Sequence, residues 1–353
     1  MTRLYKVDPH DPDPRAVSEC ANLIRAGGLV AFPTETVYGL GANAYDIGAV
    51  LRVYEVKRRP LDNPLIVHIA SADQLLEVAR SAPEQALRLV ERAWPGPLTL
   101  VLPRNPRVPR ETTGGLDSVA VRVPAHPVAL ALIKEAGVPI AAPSANVSGR
   151  PSPTEASHVV EDLWGLIDAI IDGGETLFGV ESTVVSFLTD PPILLRPGSL
   201  PIEEIERILG REIIVPPFAR GIEEAREALS PGVKYRHYAP SCRLVLVELK
   251  SYDDLKKLAE VVKGVAARFS SERRLILATD ETVKFYEGLG VNVKSLGPRS
   301  NLYRVAQNLF KALREADKLG VDVVIAEGFE ERGLGLTLMS RLRKASTSRL
   351  VAD

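Results

Sequence analysis

"LVAFPTETVYGLG", residues 29 to 41, decides how the first half of this chain is read. An apolar strand runs into Pro33. Two threonines, a carboxylate and a tyrosine follow, and then two glycines separated by a single residue. Strand ends in α/β folds are where ligands bind, so a buried strand opening into small polar groups marks a candidate site. The flanking pattern supports that reading. Residues 14 to 26 read as a helix, with Pro14 near its start, Val17, Cys20 and Ile24 on one face, and Gly27-Gly28 as its stop. Residues 46 to 57 form the next helix, with Ile47, Val50, Leu51 and Tyr54 spaced for one face. It ends in Lys57-Arg58-Arg59-Pro60, three cations that either cap a helix C-terminus or serve an anion.

The alternation continues downstream. Strand 63 to 70 places His68 on the same face as Ile66 and Ala70. Helix 84 to 94 leads to strand 98 to 102, with Trp94, like Phe32, read as core. Strand 118 to 123 puts Val119, Val121 and Val123 on one face and Ser118, Ala120 and Arg122 on the other. Helix 127 to 136 and strand 138 to 142 run into "PSANVSGRPSPT". Helix 155 to 164, strands 167 to 171 and 183 to 188, a TDPP turn and "ILLRPGS" complete the unit. Crossovers mixed with a hairpin imply an α/β domain with a twisted mixed sheet over residues 1 to 210.

Residues 211 to 243 read as a linker, rich in proline, with one weak helical segment at 222 to 229. From 244 to 353 strands and helices alternate strictly: strands 244 to 249, 274 to 279, 291 to 296 and 321 to 326, and helices 253 to 268, 281 to 288, 301 to 318 and 336 to 344. That order predicts a small parallel, three-layer, Rossmann-like α/β domain.

Composition narrows the function. The chain has 353 residues, of which 45% are hydrophobic and 25% charged, an ordinary composition for a soluble protein of about two domains. No apolar run of about 18 residues exists, so no membrane span is expected, and the polar N-terminus carries no export signal. A cytoplasmic location is the expectation. Two cysteines are too few for a disulfide framework or a four-thiolate zinc site. A net charge of -1 argues against stable nucleic-acid binding as the main role. Phosphate-loop, kinase, nucleophile-elbow and zinc-helix motifs are absent. What remains is a set of strand-end segments rich in hydroxyls and cations: 34 to 36, 57 to 59, Ser118 and Arg122, 144 to 150, 182 to 183, and Arg196. Gathered at one place they would suit phosphate and carboxylate, which guanidinium groups pair bidentately.

Seven segments in order, "FPTETVYGLG", "KRRPLDNPLIVHI", "WPGPLTLVL", "VAVRVPAHP", "APSANVSGRPSPT", "ESTVV" and "LLRPGS", resemble the YrdC-type threonylcarbamoyl-AMP synthases over residues 15 to 210. The linker "SPGVKYRHYAP" and the trailing domain resemble the two-domain members. The resemblance implies a nucleotidyl transfer: L-threonine, bicarbonate (or carbon dioxide) and ATP give threonylcarbamoyl-AMP and pyrophosphate. A tRNA threonylcarbamoyl-transfer machinery then takes the product. It implies magnesium with ATP and no separate protein-bound metal. Carried over by motif, Thr34, His68, Arg122, Ala142 and Ser182 would bind threonine. Lys57 and Arg59 would act on the triphosphate, and Asn63, Ser118, Ser144, Asn146, Ser152, Arg196 and the linker's Tyr235 would complete the ATP site. The glycines after Tyr38 would admit backbone to the ligand, and the linker would lie over the active site. Rival readings are an RNA-binding module, a Ser/Thr hydrolase, and a carbamoyl-transfer maturation factor. The first is opposed by charge, the second by the lack of a triad spacing, and the third by the cysteine count.

Overall fold

The computed structural model describes residues 1–232, 234 and 237–353. Its contacts divide the chain into two units. One holds Met1–Ser148, Ser152–Ala219 and Glu223–Tyr235; the other holds Gly149–Pro151, Arg220–Ile222 and Arg236–Asp353. In the first unit the chain runs β1 (Arg3–Lys6), α1 (Pro14–Arg25), β2 (Val30–Pro33), β3 (Tyr38–Asn43), α2 (Ile47–Lys57), β4 (Ile66–His68), α3 (Leu75–Val78) and α4 (Glu84–Ala93). It continues through β5 (Leu98–Pro103), β6 (Ser118–Arg122), α5 (Pro127–Ala136), β7 (Ile140–Ala141), α6 (Ala156–Leu163), β8 (Ala169–Asp172), β9 (Thr183–Ser186), β10 (Ile193–Arg196) and α7 (Ile202–Leu209).

Local chemistry sets these elements. Asp13 caps α1 by accepting from the Arg15 amide, and Val17, Cys20 and Ile24 turn inward. Cys20 and Ile24 form one core with Val128, Leu132 and Ile133 of α5 and with Val30, Phe32 and Ile140 of the sheet. Asp46 caps α2, which stops where Arg58 takes a left-handed conformation at φ 51°.

Among the described residues the sheet of this unit has ten strands in the order β1-β8-β2-β3-β7-β4-β6-β5-β9-β10. β2 and β3 form an antiparallel hairpin, whereas β4 and β6 run parallel and pair His68 with Arg122. The sheet is mixed, as expected.

Several elements differ from the sequence reading. β3 occupies the "YGLGAN" stretch that was expected to be a ligand loop. A Cβ on Gly41 would sit 2.7 Å from Phe32 Cε1 and 2.8 Å from Ile140 Cγ2, so this glycine serves strand packing rather than ligand approach. β1 and α7 are not expected from the sequence reading, although Ile202, Ile205 and Leu209 of α7 recur at helical spacing. Residues 222 to 229 make no helix; Ala225 and Leu229 pack onto the sheet. Trp94 is only half-buried, its Nε1 donating to the Leu98 carbonyl at 2.7 Å.

In the second unit the elements are β11 (Arg243–Leu249), α8 (Leu255–Arg268), β12 (Arg274–Ala278), β13 (Asn292–Ser295), α9 (Leu302–Leu319), β14 (Val323–Glu327), α10 (Leu334–Ala345) and β15 (Ser348–Ala352). The strand order is β13-β12-β14-β11-β15, with every pairing parallel. This is the expected small parallel domain, with one strand more at its C-terminal edge. The helix expected at 281 to 288 shrinks to a 3-10 turn, Val283–Tyr286.

Candidate active site

The turn between β2 and β3 is built by its own hydroxyls. Thr34 Oγ1 donates to the Val37 carbonyl at 2.7 Å and accepts from the amides of Thr36 and Val37. With that proton committed, Thr36 is the donor in the 2.8 Å contact between the two threonine hydroxyls. The Thr36 oxygen then accepts from Arg122 Nη1 at 3.0 Å. Glu35 lies between the threonines, and its carboxylate approaches Arg122 Nη2 to 2.6 Å. Glu35 and Arg122 are 4% and 3% exposed, so the charge pair lies out of water. Thr34 therefore shapes the turn, and Glu35 and Thr36 carry its contact with the guanidinium.

Arg122 ends β6, and the parallel register puts His68 of β4 directly beside it. β5 pairs antiparallel with β6, Leu100 opposite Val121; one step further along, Thr99 stands opposite Arg122. Thr99 Oγ1 lies 2.8 Å from Ser182 Oγ, and Ser182 accepts from Arg196 at its hydroxyl (3.2 Å) and its carbonyl (2.9 Å). A continuous polar row thus crosses one sheet face. Burial, and then the positive charge of Arg122, push the His68 imidazole down to about 3, so the ring is neutral. His68 Nδ1 stands 3.2 Å from the Ile66 carbonyl, which can only accept. Nδ1 is then the protonated nitrogen, and Nε2 is left as an acceptor.

The expected phosphate residues form a second grouping. The three cations at 57 to 59 do not share one setting: Lys57 is 1% exposed and Arg59 9%, and only Arg58 faces water. Lys57 Nζ donates to the carbonyls of Ser144 and Asn146, and the Lys57 carbonyl accepts from the Ser148 amide. The lysine thereby moulds the 144 to 148 loop rather than capping its own helix. Arg59 reaches the Asn63 carbonyl at 2.9 Å, the Asn63 side chain at 2.6 Å and the Pro64 carbonyl at 2.8 Å. Ser118 starts β6, two register steps from Ala120, which pairs with Ile66 of β4. It shares a face with Arg122 at about 13 Å, four residues of extended strand. Ala142 is buried and donates its amide to the Ile66 carbonyl at 2.8 Å. Ser152 donates to Glu181 at 2.6 Å, beside Ser182.

The segment after α7 lies against the first grouping. Phe218, Ala225 and Leu229 pack on Ile66, Val101, Ala120, Val184 and Leu195, the apolar part of the face that carries His68 and Arg122. Its Pro231 carbonyl accepts from Arg196 at 3.2 Å, and Lys234 pairs with Asp62 at 2.7 Å. Tyr235, expected to reach ATP, lies outside the described residues.

The structure therefore brings together His68, Arg122, Ser182 and Arg196, and separately Lys57, Arg59, Asn63, Ser144 and Asn146. Sequence reasoning included 34 to 36 as a candidate segment but gave Glu35 and Thr36 no role of their own, and it passed over Thr99. The available signal was a lone carboxylate embedded in "PTET", but which strand's cation it meets depends on a pairing 87 residues away in the chain.

Comparison with known proteins reaches the whole chain. A family model for Sua5, YciO and YrdC, described as telomere recombination, matches residues 22–198. A second, described as the threonylcarbamoyl-AMP synthase C-terminal domain, matches residues 200–347. The chain is 53% identical over 336 residues to the threonylcarbamoyl-AMP synthase of Pyrococcus abyssi, covering 94% of each chain. It is 48% identical to that of Bacillus subtilis, covering 99% of each. The crystal structure of Pyrococcus abyssi Sua5 complexed with L-threonine matches with a TM-score of 0.91 and 49% identity over 100% of both chains.

Proposed function

This chain belongs to the threonylcarbamoyl-AMP synthase family in its two-domain form, and on that premise we propose how its residues make the product. The reaction joins L-threonine, bicarbonate or carbon dioxide, and ATP into threonylcarbamoyl-AMP, releasing pyrophosphate. The observation that carries the site reading is Arg122: among the described residues its buried guanidinium makes one aligned hydrogen bond, to Thr36, with the Glu35 carboxylate at 2.6 Å and a neutral histidine beside it. Buried donors without partners call for a ligand that accepts, and a carboxylate fits a guanidinium. Threonine would place its carboxylate there and donate its hydroxyl to His68 Nε2, with Ser182 and Ala142 closing the pocket.

The amine then takes up carbon dioxide, and a carbamate oxygen attacks the α-phosphorus while pyrophosphate leaves. The protein's task is to position the reactants and to offset charge. Arg196, Arg59 and Lys57 are the cations for the phosphates, with Asn63, Ser118, Ser144, Asn146 and Ser152 supplying hydrogen bonds. Each charge-assisted bond is worth about 1.5–3 kcal/mol, so several are required. Among the described residues no group of three or more histidine, cysteine or carboxylate side chains stands together. Magnesium would therefore enter on the phosphates of ATP, keeping waters as its other ligands and offsetting phosphate charge. Phe218, Ala225, Leu229 and Pro231, packed on this face, would exclude water from the labile mixed anhydride. Release to a tRNA-modifying transferase would follow. Among the described residues, no helix is long and apolar enough to cross a membrane.

The test is incubation with ATP, bicarbonate and L-threonine. Pyrophosphate and threonylcarbamoyl-AMP should form together and depend on threonine. Release of pyrophosphate no higher than in a threonine-free control would overturn the proposal.

A further inference from the structure

We propose that Glu35 recognises the ammonium group of the amino-acid substrate, so that the Glu35–Arg122 pair acts as a two-poled receptor for a zwitterion. The inference rests on the threonine site described above. Among the described residues, neither oxygen of Glu35 has a hydrogen-bond partner, and neither Nε nor Nη2 of Arg122 has one. The two groups approach to 2.6 Å without hydrogen-bond alignment. A purely structural buried pair would direct these donors and acceptors at each other or at backbone, because an unmet buried polar atom is costly. Here Glu35 Oε1 and Arg122 Nε are left over, and Oε2 and Nη2 meet as an ion pair without hydrogen-bond alignment, in one place and with opposite charges. A zwitterionic amino acid offers the complementary set: a carboxylate to accept from Arg122, and an ammonium to donate to Glu35.

The backbone holds Glu35 ready for that role. The hydroxyl network of Thr34 and Thr36 fixes the turn on either side of it, and its own carbonyl accepts from the Phe178 amide at 2.9 Å. Only the side chain is left to respond to a ligand. Glu35 is therefore a specificity residue distinct from the carboxylate-reading Arg122.

The experiment compares L-threonine with (R)-3-hydroxybutyrate, which keeps the carboxylate and hydroxyl but has hydrogen in place of the ammonium. Calorimetry on the full chain should show wild type preferring L-threonine about ten- to hundredfold, the worth of a charge-assisted contact. Glu35→Gln should weaken L-threonine by that factor and leave (R)-3-hydroxybutyrate within about threefold, so the preference collapses. Glu35→Asp, which keeps the charge, should restore part of it. If Glu35 merely braces Arg122, Glu35→Gln will weaken both ligands equally, and the proposal fails while the threonine site stands. Should Glu35→Gln not fold, wild type alone decides: equal affinity for the two ligands shows that the ammonium is not read. No binding of L-threonine to wild type would remove the site reading and this proposal together.

Discussion

Glu327–Arg299 in the second unit and Glu35–Arg122 in the first each bury an acid beside an arginine, and the two pairs are built in opposite ways. In the second unit Glu327 ends β14, and every polar atom around it is engaged. Tyr286 donates to one oxygen at 2.6 Å, and Thr279 (3.3 Å) and Arg299 (3.4 Å) approach the other. Arg299 also donates to the Gly328 carbonyl at 2.8 Å and lies over the Phe329 ring at 4.7 Å. Burial and the Glu327 charge hold the Tyr286 hydroxyl well above its ordinary range, so it stays a donor. In the first unit Glu35 and Arg122 keep donors and acceptors unmatched. The same chemistry closed on itself holds a fold together; left open, it waits for a ligand.

That contrast can be broken by mutation. The largest effect is expected at Arg122. Arg122→Ala strands the Glu35 charge in the interior and should cost about 3–5 kcal/mol of stability, with loss of threonine-dependent pyrophosphate. The double variant Glu35→Leu/Arg122→Met should recover wild-type stability or exceed it, while staying inactive, because an open pair is a stability cost kept for function. Calorimetric unfolding decides: a double variant as unstable as Arg122→Ala would make the pair structural.

Next comes Gly198, between Arg196 and the strand it supports. A Cβ there would lie 2.2 Å from the Thr183 amide nitrogen and 2.4 Å from the Glu181 carbonyl oxygen, both backbone. Gly198→Ala should destabilise by about 3 kcal/mol and weaken ATP binding through Arg196. Gly137→Ala, at a helix end with φ 66° and open space around it, should cost only about 1 kcal/mol. Equal melting temperatures for the two variants would refute the close-packing account.

In the second unit, Glu327→Gln keeps shape but removes the charge that Tyr286 and Arg299 share. A loss of about 2 kcal/mol is expected, with turnover per folded molecule unchanged. Activity falling beyond the folded fraction would show that this network does more than hold β14.

The smallest effect is a slope. His68 is neutral when folded, its value pushed down to about 3, whereas in the unfolded chain it titrates near 6.5. The unfolded state binds the extra proton, so His68 favours folding above about pH 6.5, and that advantage is lost as pH falls toward 3. His126, pushed down to about 4 by burial, acts in the same direction. His68→Gln should flatten the acid limb by at most one proton's slope, about 1.4 kcal/mol per pH unit. An unchanged limb in chemical denaturation would place the imidazole in a wetter setting than its 3% exposure indicates.

Much of the fold was legible because helices with one apolar face announce themselves. Val17, Cys20 and Ile24 turned inward as their spacing required, and the alternation in "SVAVR" put Arg122 and Ala120 on one face. Short or glycine-bearing elements escaped. β3 carries Gly41, whose reason is Phe32 and Ile140 pressing against it, a contact invisible in the local pattern. At 57 to 59 the local pattern allows the cations to cap their own helix, yet Lys57 is enclosed by carbonyls from residues 144 and 146.

By itself the sequence determined the α/β class, the parallel second unit, and the family to which its ordered motifs belong, since these follow from periodicity and from residue order along the chain. Only the tertiary structure decided which charges meet. Glu35 finds Arg122 across 87 positions, and Ser182 finds Thr99 across 83, because strand order places β6 between β4 and β5 and sets β9 beside β5. Burial and hydrogen-bond satisfaction are properties of that pairing. Whether a carboxylate is a structural strut or an open receptor is settled by its neighbours in space, which no local pattern encodes.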